Sequence, residues 1–229
     1  RSISSKSGSA DVLEAAGVDL TLTPEQVAEC INETGVGFMF AQAHHIAMRN
    51  VIGARKEMGV RTLFNMLGPL TNPAGAPFQV IGVYDKELTV LFAKVLQRLG
   101  SNHVMVVHAA DGLDEISIAS KTYVAELKNG EVIEWEIDPS EHDMDHPSLN
   151  DLSVDSAQDS INIIRAVFAN NDSAAKDIVC LNAGASLYVA GLAESYKEGV
   201  YLARKTIADG LAQTKLNEFI AKTQSFNNA

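Results

Sequence analysis

The chain has 229 residues, 46% hydrophobic and 21% charged, an ordinary globular balance with room for one large domain or two small ones. With 18 Lys and Arg against 29 Asp and Glu, its formal charge is -11. That argues against non-specific binding to nucleic acid or an anionic membrane, since both need a basic face. Two distant cysteines, Cys30 and Cys180, do not make a disulfide framework and fit a reducing cytoplasm. No apolar run reaches the roughly 18 residues of a membrane span, and no signal-peptide pattern stands at the start. The chain begins with Arg1 rather than Met, inside a serine-rich stretch, and reads as a fragment or a trimmed chain.

In chain order, Ser7-Gly8-Ser9 precedes a short helical pattern, ADVLEAAG. Thr23-Pro24-Glu25-Gln26 is a helix start, with Thr23 as cap, Pro24 at the first helical position and Gln26 closing a capping box. That helix is expected to end at Thr34 before Gly35, and another to run from His44 to about Met58, before Gly59. QVIGV, 79–83, is a short apolar strand. Leu88, Leu91, Phe92, Val95, Leu96 and Leu99 then share one helix face, with Gly100 as the stop. HVMVVH, 103–108, is apolar on both faces, as a buried parallel strand requires. The unit is strand–helix–strand, with a right-handed crossover expected.

TYVAELKNGEVIEWEI, 122–137, is two strands joined at Asn129-Gly130, a type I′ hairpin. Ile133, Trp135 and Ile137 alternate there with Glu134 and Glu136, which predicts one wet face. A polar loop follows over 138–156, then helices near 157–170, 173–192, 195–208 and 210–222. The helix carrying AAKDIVCLNAGASLYVAG is apolar on most sides, so burial is expected. The sum is an α/β fold, a mainly parallel central sheet flanked by helices with one antiparallel hairpin.

Four stretches could carry chemistry, and the residues alone leave each with two readings. RSISSKSGSAD, with five serines in its first nine residues, is either a flexible polar terminus or an anion site. In the second case hydroxyls and N–H groups lie at a helix N-terminus, with Arg1 and Lys6 adding charge. HAADGLDEIS, 108–117, leaves the end of the buried strand, where active sites of open α/β sheets lie. Its adjacent Asp114 and Glu115 are hard oxygen ligands suited to Mg²⁺, or else a solvated acidic turn. NMLGPLTNPAGAP, 65–77, holds three of the six prolines and two glycines, and reads as a rigid connection or a shaped loop. FAQAHHIAMRNVIGARKEMG, 40–59, sets His44, His45, Arg49, Arg55 and Lys56 on or near one helix. That is a solvated basic face, or an arginine poised for a carboxylate. EHDMDH, 141–146, lacks the support a functional metal site needs, and Cys180 reads as core packing.

Taken together and in order, RSISSKSGSADVLEAAGV, GFMFAQAHHIAMRNV, RTLFNMLGPLTNPA, HAADGLDEIS and NAGASLYVAG resemble the anthranilate phosphoribosyltransferase family of tryptophan biosynthesis. GPLTNP and DGLDE are the most specific pieces, and the match spans nearly the whole chain. The resemblance implies a nucleoside phosphorylase/phosphoribosyltransferase-like fold. Residues 1–229 would be its α/β domain, with about 45–68 belonging to or abutting a helical domain. It also implies phosphoribosyl pyrophosphate binding by Arg1, Ser2, Ile3, Ser4, Ser5 and Ser9, and anthranilate contacts from Arg55, His45 and Ala41. Mg²⁺ would be held by Asp114 and Glu115 with the diphosphate. No residue is assigned a catalytic acid, base or nucleophile role, and no Ser-His-Asp or Cys-His arrangement is evident.

The same resemblance implies a cytoplasmic, homodimeric transferase that binds neither nucleic acid nor membrane. It brings departures too. The family's N-terminal helices, its glycine-rich loop and the Lys-His-Gly-Asn preceding the arginine are absent, so the 229 residues alone are expected to be inactive. Ile46 and Gln42 stand where prolines are expected, in the anthranilate channel. Two other functions stay open at this level. One is a nucleoside phosphorylase of related fold, and the other is a non-catalytic paralogue that binds a phosphorylated ligand.

Overall fold

A computed structural model describes residues 8–40, 70, 72 and 74–228. These residues fall into two compact units, each with its own core.

The first unit contains α1 (Ser9–Ala16), α2 (Pro24–Thr34), α4 (Ala157–Phe168) and α7 (Leu211–Ser225). The α2 cap forms as its sequence dictates. Thr23 Oγ1 accepts from Gln26 N at 3.3 Å, and Gln26 Oε1 accepts from Thr23 N at 2.9 Å. Gly35 ends α2 in the left-handed region, φ +77°. Ala10, Val18, Leu20, Leu22, Val27, Cys30 and Phe219 form the core of this unit. The ends of the chain meet within it: Gln224 Nε2 donates to Gly17 O at 2.8 Å, and Asp19 N donates to Thr223 Oγ1 at 3.2 Å.

The second unit carries the sheet. Its strands are β1 (Phe78–Gly82), β2 (His103–Ala109), β3 (Thr122–Lys128) and β4 (Glu131–Ile137), side by side in that order. Between β1 and β2 the chain crosses over through α3 (Glu87–Arg98), so β1 and β2 pair in parallel. Phe92, Ala93 and Leu96 of α3 pack on Ile81, Val83, Val104, Val106, Ala125 and Leu127. The other two pairs, β2–β3 and β3–β4, are antiparallel. The sheet of the described residues is therefore mixed rather than mainly parallel. The physical reason is the connection after β2: the segment to Thr122 contains no helix to carry the chain back to the start of the sheet, so β3 returns antiparallel. The α/β class and the hairpin are as expected. Asn129 and Gly130 sit at φ +54° and +78°, the pair of positive values a type I′ turn needs.

Every residue of β2 except His108 is buried, as its unbroken apolar run requires. β4 departs from its alternation. Ile137 is buried, Trp135 is half-buried with its ring edge-on to Tyr196 at 5.9 Å, and Ile133 is exposed. As an edge strand, β4 has its apolar face covered at one end only. Two further helices complete the unit, α5 (Ala174–Val189) and α6 (Tyr196–Ala208), with α5 packed against β1 and β2. The expected helix over 44–58 lies outside the described residues.

Candidate active site

The strongest candidate lies in the second unit, in the loop that leaves β2. Its first carboxylate is consumed by the loop itself. Asp111 Oδ1 accepts from Leu113 N at 3.1 Å, and Oδ2 accepts from Ser117 Oγ at 2.5 Å. Asp111 N in turn donates to Ser120 Oγ at 3.1 Å. Ser117 is fully buried; its N donates to Thr122 Oγ1 at 3.1 Å, and its Oγ also accepts from Ala119 N at 3.0 Å. Ala109 N donates to Leu113 O at 2.9 Å, which closes the turn at Gly112, φ +94°. Asp111 is thus a structural residue, the short side chain that fixes an Asx-type turn.

The next two carboxylates are different. Asp114 and Glu115 are exposed, and among the described residues neither has a hydrogen-bond donor or an ion-pair partner. Glu115 keeps access to solvent but stands against enough protein that desolvation raises its carboxyl above the usual range, with the Asp114 charge as the second cause. A divalent cation relieves both effects, because it neutralises the pair and replaces the lost solvation. Two carboxylates also suit Mg²⁺, which keeps waters and takes its remaining oxygens from substrate phosphates. Among the described residues there is no cluster of three or more His, Cys, Asp or Glu that would form an all-protein cage.

The backbone around this pair is tightly placed. Asn182 of α5 accepts from Ile116 N through Oδ1 at 3.0 Å. Its Nδ2 donates to Ile116 O at 2.8 Å and to Ile178 O at 2.9 Å. At the end of β1, a Cβ added to Gly82 would lie 1.5 Å from Asp114 O. Sequence reasoning passed over both residues. The glycine inside QVIGV was the available signal, since an isolated glycine in a strand marks close backbone approach.

The remaining expected site residues divide plainly. Ser9 is the first residue of α1, exposed, behind a Gly8 whose N–H donates to Asp11 Oδ2 at 3.1 Å. It belongs to the first unit. Arg1, Ser2, Ile3, Ser4, Ser5, Ala41, His45 and Arg55 lie outside the described residues, as do Gln42 and Ile46. In the proline-rich segment, Asn72 Oδ1 accepts from Ala74 N at 2.9 Å, and Pro77 O accepts from Asn102 N at 2.8 Å, which leads the chain into β1. Three residues of EHDMDH make structural contacts. His146 Nε2 meets Asp177 Oδ2 at 2.9 Å, His142 stands edge-on to Tyr196 at 5.2 Å, and Met144 is buried. Both cysteines are free and buried, and burial pushes both thiols up. No helix among the described residues is long and apolar enough to cross a membrane.

The family model for the glycosyl transferase family, a/b domain, matches residues 1–213. The chain is 68% identical over 226 residues to the anthranilate phosphoribosyltransferase of Hydrogenovibrio crunogenus, covering 99% of this chain and 66% of that protein. With the enzyme of the same name from Thioalkalivibrio sulfidiphilus it shares 57% identity, covering 98% of this chain and 67% of that protein. The chain thus spans about two thirds of the length of these curated relatives. The fold matches the crystal structure of anthranilate phosphoribosyltransferase from Thermus thermophilus with a TM-score of 0.90 at 41% identity, over 98% of this chain and 67% of that one. It also matches the Saccharomyces cerevisiae enzyme in complex with PRPP and Mg, with a TM-score of 0.86 at 25% identity, over 95% and 63%.

Proposed function

Given that the chain belongs to the glycosyl transferase family and groups within it with the anthranilate phosphoribosyltransferases, we propose that it forms the α/β part of an enzyme of tryptophan biosynthesis. That enzyme transfers the phosphoribosyl group of phosphoribosyl pyrophosphate to anthranilate. The observation that carries this reading is the exposed Asp114–Glu115 pair, without a donor or cation partner among the described residues, on a loop whose other carboxylate is spent on structure.

In this reading Asp114 and Glu115 hold Mg²⁺, which supplies charge stabilisation to the diphosphate as it departs. Arg1, Ser2, Ile3, Ser4, Ser5 and Ser9 hold phosphate oxygens through N–H and hydroxyl donors, helped by the N-terminus of α1. Arg55, with His45 and Ala41, orients anthranilate, the guanidinium pairing with its carboxylate. The amine nitrogen attacks the anomeric carbon; the new C–N bond forms as the C–O bond to pyrophosphate breaks, and the surplus amine proton leaves to solvent. An aromatic amine is already neutral at pH 7, so the residues need only align two substrates and stabilise charge. A cytoplasmic, homodimeric protein is part of the same proposal, and the two free, buried cysteines are compatible with a reducing compartment.

The test is made on the complete gene product. Anthranilate fluorescence is expected to fall when phosphoribosyl pyrophosphate and Mg²⁺ are added, with no phosphorolysis of pyrimidine nucleosides. Asp114→Asn combined with Glu115→Gln should lower turnover by about 100-fold or more, the scale of lost electrostatic stabilisation. Phosphoribosyl pyrophosphate binding without turnover would instead mark a non-catalytic paralogue.

A further inference from the structure

We propose that Gly82 and Asn182 are positioning residues whose task is to hold the Asp114–Glu115 backbone still, so that two repelling carboxylates stay side by side. This rests on the reading of that pair as a cation site.

The loop has three anchors, and they differ in kind. Asp111 organises its start from within. The other two come from outside the loop, one at the peptide between the acidic residues and one just after them. Asp114 O lies where a side chain on Gly82 would be, 1.5 Å from the position of its Cβ, so β1 admits the Asp114 peptide only because residue 82 is glycine. One residue beyond Glu115, both backbone groups of Ile116 are read by one side-chain amide: Asn182 Oδ1 takes its N–H at 3.0 Å, and Asn182 Nδ2 gives to its carbonyl at 2.8 Å. The second hydrogen of Nδ2 is spent on Ile178 O of its own helix at 2.9 Å, which fixes the rotamer. Aspartate has no donor for the Ile116 carbonyl, leucine has neither function, and alanine does not reach.

One close backbone contact at the Asp114–Glu115 peptide and one anchor just after Glu115, with no partner for either side chain among the described residues, answer a specific problem. Adjacent carboxylates repel. An unanchored loop would relax by turning one carboxylate away. Mg²⁺ tolerates little distortion of its ligand positions, so that relaxation would weaken binding. The anchors make the relaxed state inaccessible. Outer residues that orient metal ligands typically change affinity by about 10- to 100-fold when removed.

The experiment uses the complete protein and Mn²⁺ as a paramagnetic probe, titrated by EPR in the presence of phosphoribosyl pyrophosphate. Wild type is expected to bind Mn²⁺, and the double variant Asp114→Asn, Glu115→Gln to lose it. Asn182→Ala and Gly82→Ala should each weaken Mn²⁺ binding by about 10- to 100-fold while circular dichroism shows a folded protein. Amide exchange at Ile116 should accelerate in Asn182→Ala. Should Asn182→Ala fail to fold, Gly82→Ala, which leaves the Asn182 bonds in place, carries the comparison. Wild-type Mn²⁺ affinity in the folded variants, with only a lower unfolding temperature, would overturn the positioning role and leave the proposed function standing. Absence of Mn²⁺ binding in the wild type would overturn both.

Discussion

Asp111, Asp114 and Glu115 look interchangeable in DGLDE, and the environment of each divides them. Asp111 accepts from a backbone N–H and a buried serine, whereas the other two accept from nothing among the described residues. Opposite responses to substitution follow. Asp111→Ala leaves Ser117 Oγ and Leu113 N without their acceptor, and should lower stability by about 1–3 kcal/mol in urea unfolding. Asp114→Asn should leave stability unchanged or raise it slightly, because it removes the repulsion on Glu115. Equal losses in the two variants would refute the division. Spacing brings three carboxylates close in sequence, but which of them is already satisfied depends on Ser117 Oγ and Leu113 N, which reach the Asp111 carboxylate only once the loop has closed.

Between elements, α5 and α6 approach closely, and that contact too is made by glycine. A Cβ on Gly199 would lie 2.2 Å from Gly184 O, and one on Gly184 would lie 2.7 Å from Val200 N. The helices touch backbone to backbone, so the contact cannot yield by rotating a side chain. Gly199→Ala is expected to cost about 1–3 kcal/mol or more, the range for overpacking a filled interface, measured by thermal and urea unfolding. No loss, or a gain approaching about 1 kcal/mol, the helix-propensity advantage of Ala where nothing clashes, would show that the helices can separate. Beside this crossing lies a polar network that composition gives no hint of. Glu126 is 3% exposed, and its two oxygens accept from Tyr188 OH at 2.8 Å and Trp135 Nε1 at 2.8 Å, with His103 Nε2 at 2.8 Å. Lys128 Nζ extends it to Tyr188 OH at 2.9 Å. A buried carboxylate in a strand is tolerable only with such partners, and they come from β2, β4 and α5.

At the scale of the molecule, each unit has its own core, and the first is assembled from segments near both ends of the chain. Phe219 of α7 is 4% exposed among residues of α1, α2 and the stretch between them. Phe219→Ala should therefore destabilise the first unit by about 3–5 kcal/mol, the range for a buried aromatic. Amide exchange should rise at Leu22, Val27 and Cys30, while β2 and β3 keep their protection. Equal loss of protection in both units would show that they open as one.

Helix starts and stops, the Asn129-Gly130 turn and the buried β2 run were legible in the chain, because caps, turns and periodicity act over a few residues and need no distant partner. The position of Asp114 and Glu115 was legible for the same reason, as two adjacent acidic residues just past a strand end. Tertiary structure decided the rest. The loop after β2 could have led to a parallel or an antiparallel neighbour, and only the absence of a crossover helix made the sheet mixed. Gly82 and Asn182 are unremarkable letters 100 positions apart. They come together because one loop passes against a strand that admits it at a glycine, and against a helix whose Asn182 amide meets both backbone groups of Ile116. Such a match is a property of surfaces brought together by packing, and no local pattern encodes it.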